Sequence, residues 1–245
     1  MVGKKGKAFI GTSGFSYGHW QGIFYPEDLP KNQWFVYYTG VFDTVELNNT
    51  FYHLPRESTV EKWEKTSPDG FTFAVKGSKF ITHIKKLVDV GESLRLFESR
   101  AALLGDKLGV ILFQFAPSFK KDIDLLENFL KLLSPQKRYT MEFRHKSWFS
   151  DDTYDILKKY NISLCASDTP KYPYCEVLTA DFMYIRLHGH EVLYASDYSE
   201  EVLKEYGQKI KEWNEQGIDV YTYFDNDYYG YAVKNAKRLK ELLGN

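Results

Sequence analysis

The sequence repeats one pattern eight times: a short run of β-branched or aromatic residues, a polar loop and, in nearly every repeat, a stretch with apolar residues at helical spacing. Each run has the length of a strand and is bounded by turn-forming residues. This alternation predicts parallel strands separated by helices. The predicted strands cover residues 8–11, 44–47, 71–76, 109–115, 139–144, 162–167, 182–188 and 219–225.

Helical spacing and capping signals place six helices between these runs. Ser58 stands three residues before Glu61, which predicts a capping box, and Ser150 precedes two acidic residues as a predicted N-cap. The segment 168–181 is too short for a normal helix, so the sixth unit is expected to be short or irregular. The predicted helices cover residues 57–65, 92–104, 122–133, 151–160, 200–216 and 231–243.

Eight such units in 245 residues predict an α/β fold of the TIM type, a single (β/α)8 barrel domain over residues 1–245. The alternative is an open, doubly wound sheet. The first turn, GTSGFSYG, lacks the spacing G-x-G-x-x-G, and no G-x-x-x-x-G-K-[ST] loop occurs in the chain. The barrel is therefore favoured.

Charge and composition exclude several classes of protein. The chain has 32 Lys and Arg against 33 Asp and Glu, which argues against a protein that coats nucleic acid or anionic membranes through bulk charge. Two cysteines cannot form a disulfide framework. The basic start of the chain has no apolar stretch of signal-peptide length, and no run of 18 apolar residues occurs. We expect a cytoplasmic protein without a membrane association.

Polar residues concentrate at the predicted carboxyl ends of the strands, which form the working face of such barrels. Five of the six histidines lie there. Glu46, Glu142 and His188 are the candidate catalytic residues. The candidate substrate-binding residues are Tyr17, Asn48, Tyr52, Lys76, His83, Gln114, Arg144, Trp148, Asp168, Arg186 and Asn226.

Two strand ends suggest how these residues act. Glu142 and Arg144 are two residues apart, as are Arg186 and His188, so each pair shares one side of its strand. We expect Arg144, Arg186 and Lys76 to hold an anion, and Glu142 or His188 to move a proton. The alternatives are a structural Glu142–Arg144 ion pair and a buried, satisfied His188. A lysine at a strand end, such as Lys76, can also form a Schiff base.

A metal site is a weaker hypothesis. Glu46, Asp168 and Asp225 are oxygen donors from different strand ends, but no H-E-x-x-H or paired-cysteine spacing supports a site, and none is predicted. The cofactor is left unassigned, with a divalent metal as the less favoured option. Paired carboxylates and aromatic rings would also suit a glycosidase, but the arginines fit that chemistry poorly. No nucleophile elbow indicates a serine hydrolase.

Eight motifs occur in order along the chain: IGTSGFSYGHWQGIFYP, FDTVELNNTFYHLP, FTFAVKGSKFITH, LFQFAPSF, MEFRHKSW, SDTP, YIRLHG and YFDNDYYGYAVKNA. Together they resemble the YecE-like family, also known as domain of unknown function 72. The resemblance implies a TIM-barrel-like fold with the motif residues at one face, and no established reaction. The polar motif positions correspond to Glu46, Asn48, Thr50, Tyr52, Lys76, His83, Gln114, Glu142, Arg144, His145, Trp148, Asp168, Arg186, His188, Asn226 and Asn235.

One position departs from the family pattern. Asp225 stands where the resemblance implies a first asparagine before Asn226, so an extra carboxylate could bind a cation or neutralise an arginine. The leading hypothesis is an enzyme acting on a small, phosphate-bearing anion. The alternatives are a non-catalytic protein that binds nucleic acid or an anionic metabolite, and a metal-dependent phosphodiesterase. The sequence predicts neither the substrate nor the oligomeric state.

Overall fold

Eight parallel strands form a barrel in the computed structural model, which describes residues 4–244. From β2 to β8 each strand pairs with the next along the chain, and β1 pairs with β8, so the predicted TIM-type barrel is confirmed. Residues 1–3, at the basic start of the chain, and residue 245 lie outside the described residues. The strands are β1 Ala8–Thr12, β2 Thr44–Leu47, β3 Thr72–Lys76, β4 Leu108–Gln114, β5 Arg138–Glu142, β6 Ser163–Asp168, β7 Phe182–Leu187 and β8 Asp219–Phe224.

The contact between β1 and β2 closes the barrel. Ser13 and Glu46 form a parallel bridge just beyond β1, and the amide of Gly14 donates to the carbonyl of Glu46 at 2.7 Å. Gly11 allows the two strands to approach, since a Cβ atom there would lie 2.4 Å from the carbonyl oxygen of Thr44. Closure therefore occurs at the carboxyl end of the strands, where the candidate residues lie.

Six of the helices match the predicted segments to within a few residues at each end. α1 and α2 were not predicted, because both are short and neither shows a helical apolar stripe. Between β6 and β7 the described chain contains no helix, as predicted. No helix of residues 4–244 is long and apolar enough to cross a membrane. The helices are α1 Trp34–Thr39, α2 Asn49–Tyr52, α3 Glu57–Thr66, α4 Gly91–Ala101, α5 Ile123–Leu130, α6 Asp151–Lys159, α7 Glu200–Glu215 and α8 Tyr231–Leu243.

The capping of these helices differs from the prediction in two places. The predicted capping box is wrong, because Arg56 is the N-cap of α3 and Ser58 lies inside the first turn. Ser150 does precede α6, but its hydroxyl makes no capping bond. A side-chain cap occurs at α5 instead, where Asp122 accepts from the amide of Leu125 at 2.9 Å.

The interior of the barrel determines which side chains reach its mouth, the opening at the carboxyl ends of the strands. A small inner cluster fills the barrel below the mouth. Alternate residues on a strand share one face. The residues two positions beyond each member of the inner cluster, toward the carboxyl end of its strand, therefore form the next inward layer. The inner cluster consists of Ala74, Val110, Leu112, Cys165, Phe182, Tyr184, Tyr221 and Tyr223. The layer above it includes Lys76, Gln114, Ser167, Arg186 and Asp225, with Glu46 and Glu142 from β2 and β5.

Candidate functional site

Arg186 occupies the centre of the mouth and has no exposed surface. Its Nε donates to both carboxylate oxygens of Glu46, at 3.0 and 3.2 Å. Its Nη1 donates to Oε2 of Glu142 at 2.7 Å, and its Nη2 donates to Oδ2 of Asp225 at 3.0 Å. The protein itself already occupies the N–H groups of this guanidinium, which disfavours the predicted role of Arg186 in holding an anion; that role stays a prediction.

The two fully buried carboxylates are held by further bonds. Ser13 and Tyr184 each donate a hydroxyl to Glu46 at 2.6 Å. Burial raises the pKa of Glu142, but Arg186 and Arg144 outweigh this effect and hold that pKa well below its usual range. A carboxylate that stays ionised at neutral pH is a weak base. Glu46 and Glu142 are both partners of Arg186, and the low pKa of Glu142 disfavours it as a general base. The predicted catalytic roles of the two residues stay predictions.

His188 is also enclosed, with 1% of its surface exposed. Its Nδ1 lies 2.9 Å from Oδ2 of Asp225. Its Nε2 lies 3.1 Å from Nη1 of Arg186, which can only donate, so we place the imidazole proton on Nδ1. The edge of Tyr194 covers the ring. Although Nδ1 lies this close to Asp225, the two groups are not aligned for a hydrogen bond, and Nδ1 has no hydrogen-bond partner among residues 4–244. The prediction that His188 exchanges a proton with a substrate stays a prediction, which its enclosure disfavours.

Arg144 differs from Arg186 because part of its guanidinium is free. Its Nε donates to Oε1 of Glu142 at 2.9 Å, so the predicted Glu142–Arg144 ion pair is present. The guanidinium lies over the ring of Tyr172, at 4.8 Å from its centre. Within residues 4–244, neither Nη of Arg144 has a hydrogen-bond acceptor. These Nη groups can bind an anion.

Lys76 ends β3 and is 9% exposed. Its Nζ lies 4.8 Å from the centre of the Phe51 ring, and it has no hydrogen-bond acceptor in the described part of the chain. Burial, with a further contribution from Arg186, lowers the pKa of Lys76 to about 8, against the opposing effect of Glu142. The side chain therefore changes between ammonium and amine close to neutral pH.

His83 lies beside Lys76, on the five-residue π-helical turn Phe80–Ile84 that follows β3. It is half-buried, and its ring packs edge-on against Phe51 at 5.1 Å. Burial lowers the pKa of His83, and Lys76 and Arg144 lower it further, so the imidazole is neutral at pH 7. Nδ1 is 2.8 Å from the hydroxyl of Thr82, which leaves Nε2 for a ligand.

Comparison with known proteins identifies the family. The family described as "Protein of unknown function DUF72" matches residues 9–245. The chain belongs to the DUF72 family. A crystal structure of a DUF72 family protein from Thermotoga maritima superposes with a TM-score of 0.88 and 32% identity, covering 98% of this chain and 100% of that one. The predicted resemblance to the YecE-like family is thereby confirmed.

Two curated relatives agree with this assignment. The UPF0759 protein YunF of Bacillus subtilis is 27% identical over 268 residues, which cover 96% of this chain and 94% of YunF. The UPF0759 protein YecE of Escherichia coli is 29% identical over 114 residues, which cover 46% of this chain and 42% of YecE. These likenesses establish the family and the fold of the DUF72 protein. Its chemistry has to be argued from the side chains.

Three further predicted residues of this DUF72 protein lie at the mouth. Tyr17 is half-buried, and its hydroxyl donates to the carbonyl of Ser13 at 2.5 Å. Gln114 is buried, and its position on β4 pairs in register with Glu142. The buried Oδ1 of Asn48 has no hydrogen-bond partner among residues 4–244. Their predicted contact with a substrate stays a prediction, as does that of Tyr52, which is 60% exposed at the rim.

Three predicted substrate-binding residues do not reach the mouth. Trp148 is completely buried and stacks on Phe143 at 4.3 Å, so it belongs to the packing between strands and helices. Asp168 points away from the barrel and accepts from the hydroxyl of Tyr206 on α7 at 3.2 Å. Asn226 is buried, and its Nδ2 donates to the carbonyl of Ser196 in the loop before α7 and to Oδ1 of Asn235 on α8, both at 2.8 Å. These positions disfavour the predicted contact of the three residues with a substrate, because a strand-end position alone does not fix the direction of a side chain.

The weak metal candidates do not converge. Glu46 and Asp225 are paired with Arg186, whereas Asp168 lies on the outer side of the barrel wall. Within the described ranges, no three His, Cys, Asp or Glu side chains are grouped to hold a metal ion. Of the two roles suggested for Asp225, the structure shows the neutralisation of an arginine.

The sequence analysis missed three residues at the mouth. Ser167 lies on the inward face of β6, and its buried Oγ has no partner in the described structure. The alternation that starts at Cys165 could have identified it in place of Asp168. Tyr172 and Tyr194 come from irregular loops, where no periodic signal exists.

Proposed function

We propose that this DUF72 protein is an enzyme that acts on a small, phosphate-bearing substrate at the mouth of the barrel. Arg144 and Lys76 supply the positive charge that faces the ligand, and His83 moves a proton. One observation carries this proposal: these two cations are largely buried, and their terminal N–H groups have no acceptor within residues 4–244. Arg144 is paired with Glu142 through Nε alone, and Lys76 has no ion pair within residues 4–244. Burying a cation whose donors lack acceptors is destabilising, which favours a site built for an anion.

The ion network beneath the site supports this assignment. Arg186 fixes Glu142, and Glu142 in turn holds Nε of Arg144. The free Nη groups of Arg144 are thereby oriented before a ligand arrives, as preorganised anion sites require. His83 is neutral near pH 7 and can accept or donate a proton at Nε2.

The test measures binding and turnover separately. Binding of inorganic phosphate is followed by calorimetry at low ionic strength, and turnover is measured with a panel of phosphoesters and sugar phosphates. Arg144→Gln is expected to weaken phosphate binding about tenfold or more, because it removes a charge-assisted contact. His83→Gln is expected to bind phosphate and to lose turnover. Arg238→Gln, on the surface of α8, is the matched control and should behave as the wild type.

Two results would overturn the proposal. One is a wild-type protein that binds no phosphate at low salt. The other is a wild-type protein that turns over no compound of the panel, with or without divalent metal.

A second candidate function is anion binding without catalysis. It is favoured by the ion network, since Glu142 and Asp225 both have lowered pKa values and are weak bases, and Nε2 of His188 is engaged by Arg186. This function predicts salt-sensitive binding of phosphate or of a short oligonucleotide, weakened in Arg144→Gln, with no product formed. A metal-dependent phosphodiesterase is disfavoured by the pairing of Glu46 and Asp225 with Arg186.

A further inference from the structure

We propose that Lys76 is a nucleophile that captures the carbonyl group of a phosphate-bearing aldehyde or ketone as an iminium ion. The inference rests on the proposed function, because Arg144 is to hold the phosphate. It extends that function by naming the reacting group of the protein and the functional group of the substrate.

The position of Lys76 suits a nucleophile. The side chain leaves the last residue of β3, a rigid element, and its Nζ is held over Phe51. Among the residues that the structure describes it makes no ion pair, although three carboxylates lie in the same layer, because Arg186 engages all three. A lysine bound to a carboxylate would have its amine blocked, whereas Nζ of Lys76 is free.

The surroundings of Lys76 also increase the share of the reactive form. Burial and Arg186 lower the pKa of Lys76 to about 8. At pH 7 about a tenth of such a lysine is the neutral amine, about 200-fold more than for a lysine with the ordinary pKa of about 10.4. Lysines that form Schiff bases are activated in this way, by desolvation or by a neighbouring cation.

The reaction needs a proton donor, and His83 is placed to serve. The lone pair of Nζ adds to the carbonyl carbon, and one proton passes from this nitrogen to the carbonyl oxygen to give a neutral carbinolamine. The C–O bond then breaks, and the oxygen leaves as water with a second proton, while nitrogen and carbon form the iminium double bond. Lys76 and His83 contact the same Phe51 ring, so His83 can supply the proton for the departing water from Nε2 after taking up a proton from solvent as imidazolium. Its lowered pKa makes this imidazolium a good proton donor.

The substrate class follows from the groups that surround this space. Lys76 ends β3, His83 lies in the turn that follows it, and Arg144 follows β5 at the same end of the barrel, so a small molecule that spans the mouth can contact all three side chains. The free Nη groups of Arg144 suit the bidentate binding of a phosphate. The reacting carbon then has to be a carbonyl within a few bonds of that phosphate.

Trapping the iminium ion tests the inference. The wild-type protein is incubated with pyridoxal 5′-phosphate or glyceraldehyde 3-phosphate and reduced with sodium cyanoborohydride. Intact mass and peptide mapping then locate the adduct. We expect one saturable adduct at Lys76, reduced at least tenfold by an excess of inorganic phosphate. Lys76→Arg should lose this adduct, and Lys85→Arg, an exposed lysine in the following loop, should keep it.

A second comparison isolates the role of the phosphate. Arg144→Gln should lower labelling by pyridoxal 5′-phosphate and leave labelling by pyridoxal unchanged. Because Lys76→Arg could fail to fold, the reduction of the Lys76 adduct by inorganic phosphate in the wild type tests the inference independently of that variant.

The possible failures are distinguishable. Labels spread over exposed lysines while Lys76 stays unmodified would overturn the inference. If phosphate still binds the wild type and Arg144→Gln abolishes that binding, the proposed function survives. Absence of both phosphate binding and a Lys76 adduct would overturn both.

Discussion

Arg186 is the residue on which the stability of the mouth depends most. Replacing it with Met leaves the buried Glu46 without its counter-charge and leaves Glu142 paired with Arg144 alone. Removing one partner of a buried ion pair costs about 3–5 kcal/mol of unfolding free energy. We expect urea denaturation of Arg186→Met to show a loss of that size. Arg238→Gln, which breaks an exposed pair with Glu200, should lose less than about 1 kcal/mol; equal losses would contradict the central role of Arg186.

The low pKa of Glu142 predicts how stability responds to acid. An unfolded glutamate has a pKa of about 4.3, and the folded-state pKa of Glu142 lies well below that value. The unfolded chain therefore takes up the proton first, and the free energy of unfolding decreases as the pH falls below about 5. In Glu142→Gln this contribution is absent, so its free energy of unfolding should fall less steeply between about pH 5 and 3. Parallel curves in denaturant titrations would refute this.

Lys76 predicts a dependence of anion binding on alkaline pH. Sulfate keeps its charge from pH 7 to 9, whereas a lysine with a pKa of about 8 loses most of its charge over this range. If only the ammonium form binds, sulfate affinity falls about tenfold. Labelling by a carbonyl compound should rise over the same range. Lys76→Met should bind sulfate weakly and with little dependence on pH, and a pH-independent wild type would speak against the assignment.

Single residues show where prediction from the sequence succeeds and fails. Period-two alternation correctly places Glu142, Arg186 and Lys76 at the mouth, because strand geometry is local. It cannot reveal that Arg186 is fully engaged, since its partners come from four other parts of the barrel. The free donors of Arg144 therefore became visible only in three dimensions. Asp168 does lie at the carboxyl end of β6, but its side chain is on the outward face of the strand, where it bonds Tyr206.

At the scale of elements, the cap of α5 can be compared with the predicted cap of α3. Asp122→Ala removes a side-chain bond to the amide of Leu125 and should cost about 1 kcal/mol of unfolding free energy. Ser58→Ala, at an exposed position inside α3, should change stability by less than about 0.5 kcal/mol. Chemical denaturation of both variants checks this. A larger loss of unfolding free energy in Ser58→Ala than in Asp122→Ala would indicate that Ser58 caps α3 in solution.

The elements themselves were largely predictable, and the reason is the repeat. Strands with apolar runs and helices with apolar stripes carry their own periodic signals, as in β4 and α5. The six-residue helix α1, Trp34–Thr39, is rich in aromatic and β-branched residues, so its composition favours a strand and its helix is formed by packing.

For the whole molecule, barrel closure depends on the approach of β1 and β2. Gly11→Ala would place a Cβ atom 2.4 Å from the carbonyl oxygen of Thr44, and the two strands would have to separate. We expect a loss of about 1–3 kcal/mol in unfolding free energy, as for other overpacked sites. Gly18→Ala is the control, since no atom lies within 4 Å of its added Cβ. Similar unfolding free energies of the two variants, measured by urea denaturation, would show that the close approach of β1 and β2 at Gly11 does not limit the stability of the barrel.

The network around Arg186 also determines how the barrel opens. Arg186 lies on β7, and its partners lie on or directly after β1, β2, β5 and β8. None of these strands can detach without bringing water to a buried carboxylate or to the guanidinium itself. The backbone amides of these five strands should consequently exchange their hydrogens for deuterium at one shared rate, in a single cooperative event. Arg186→Met should divide that event into several faster ones.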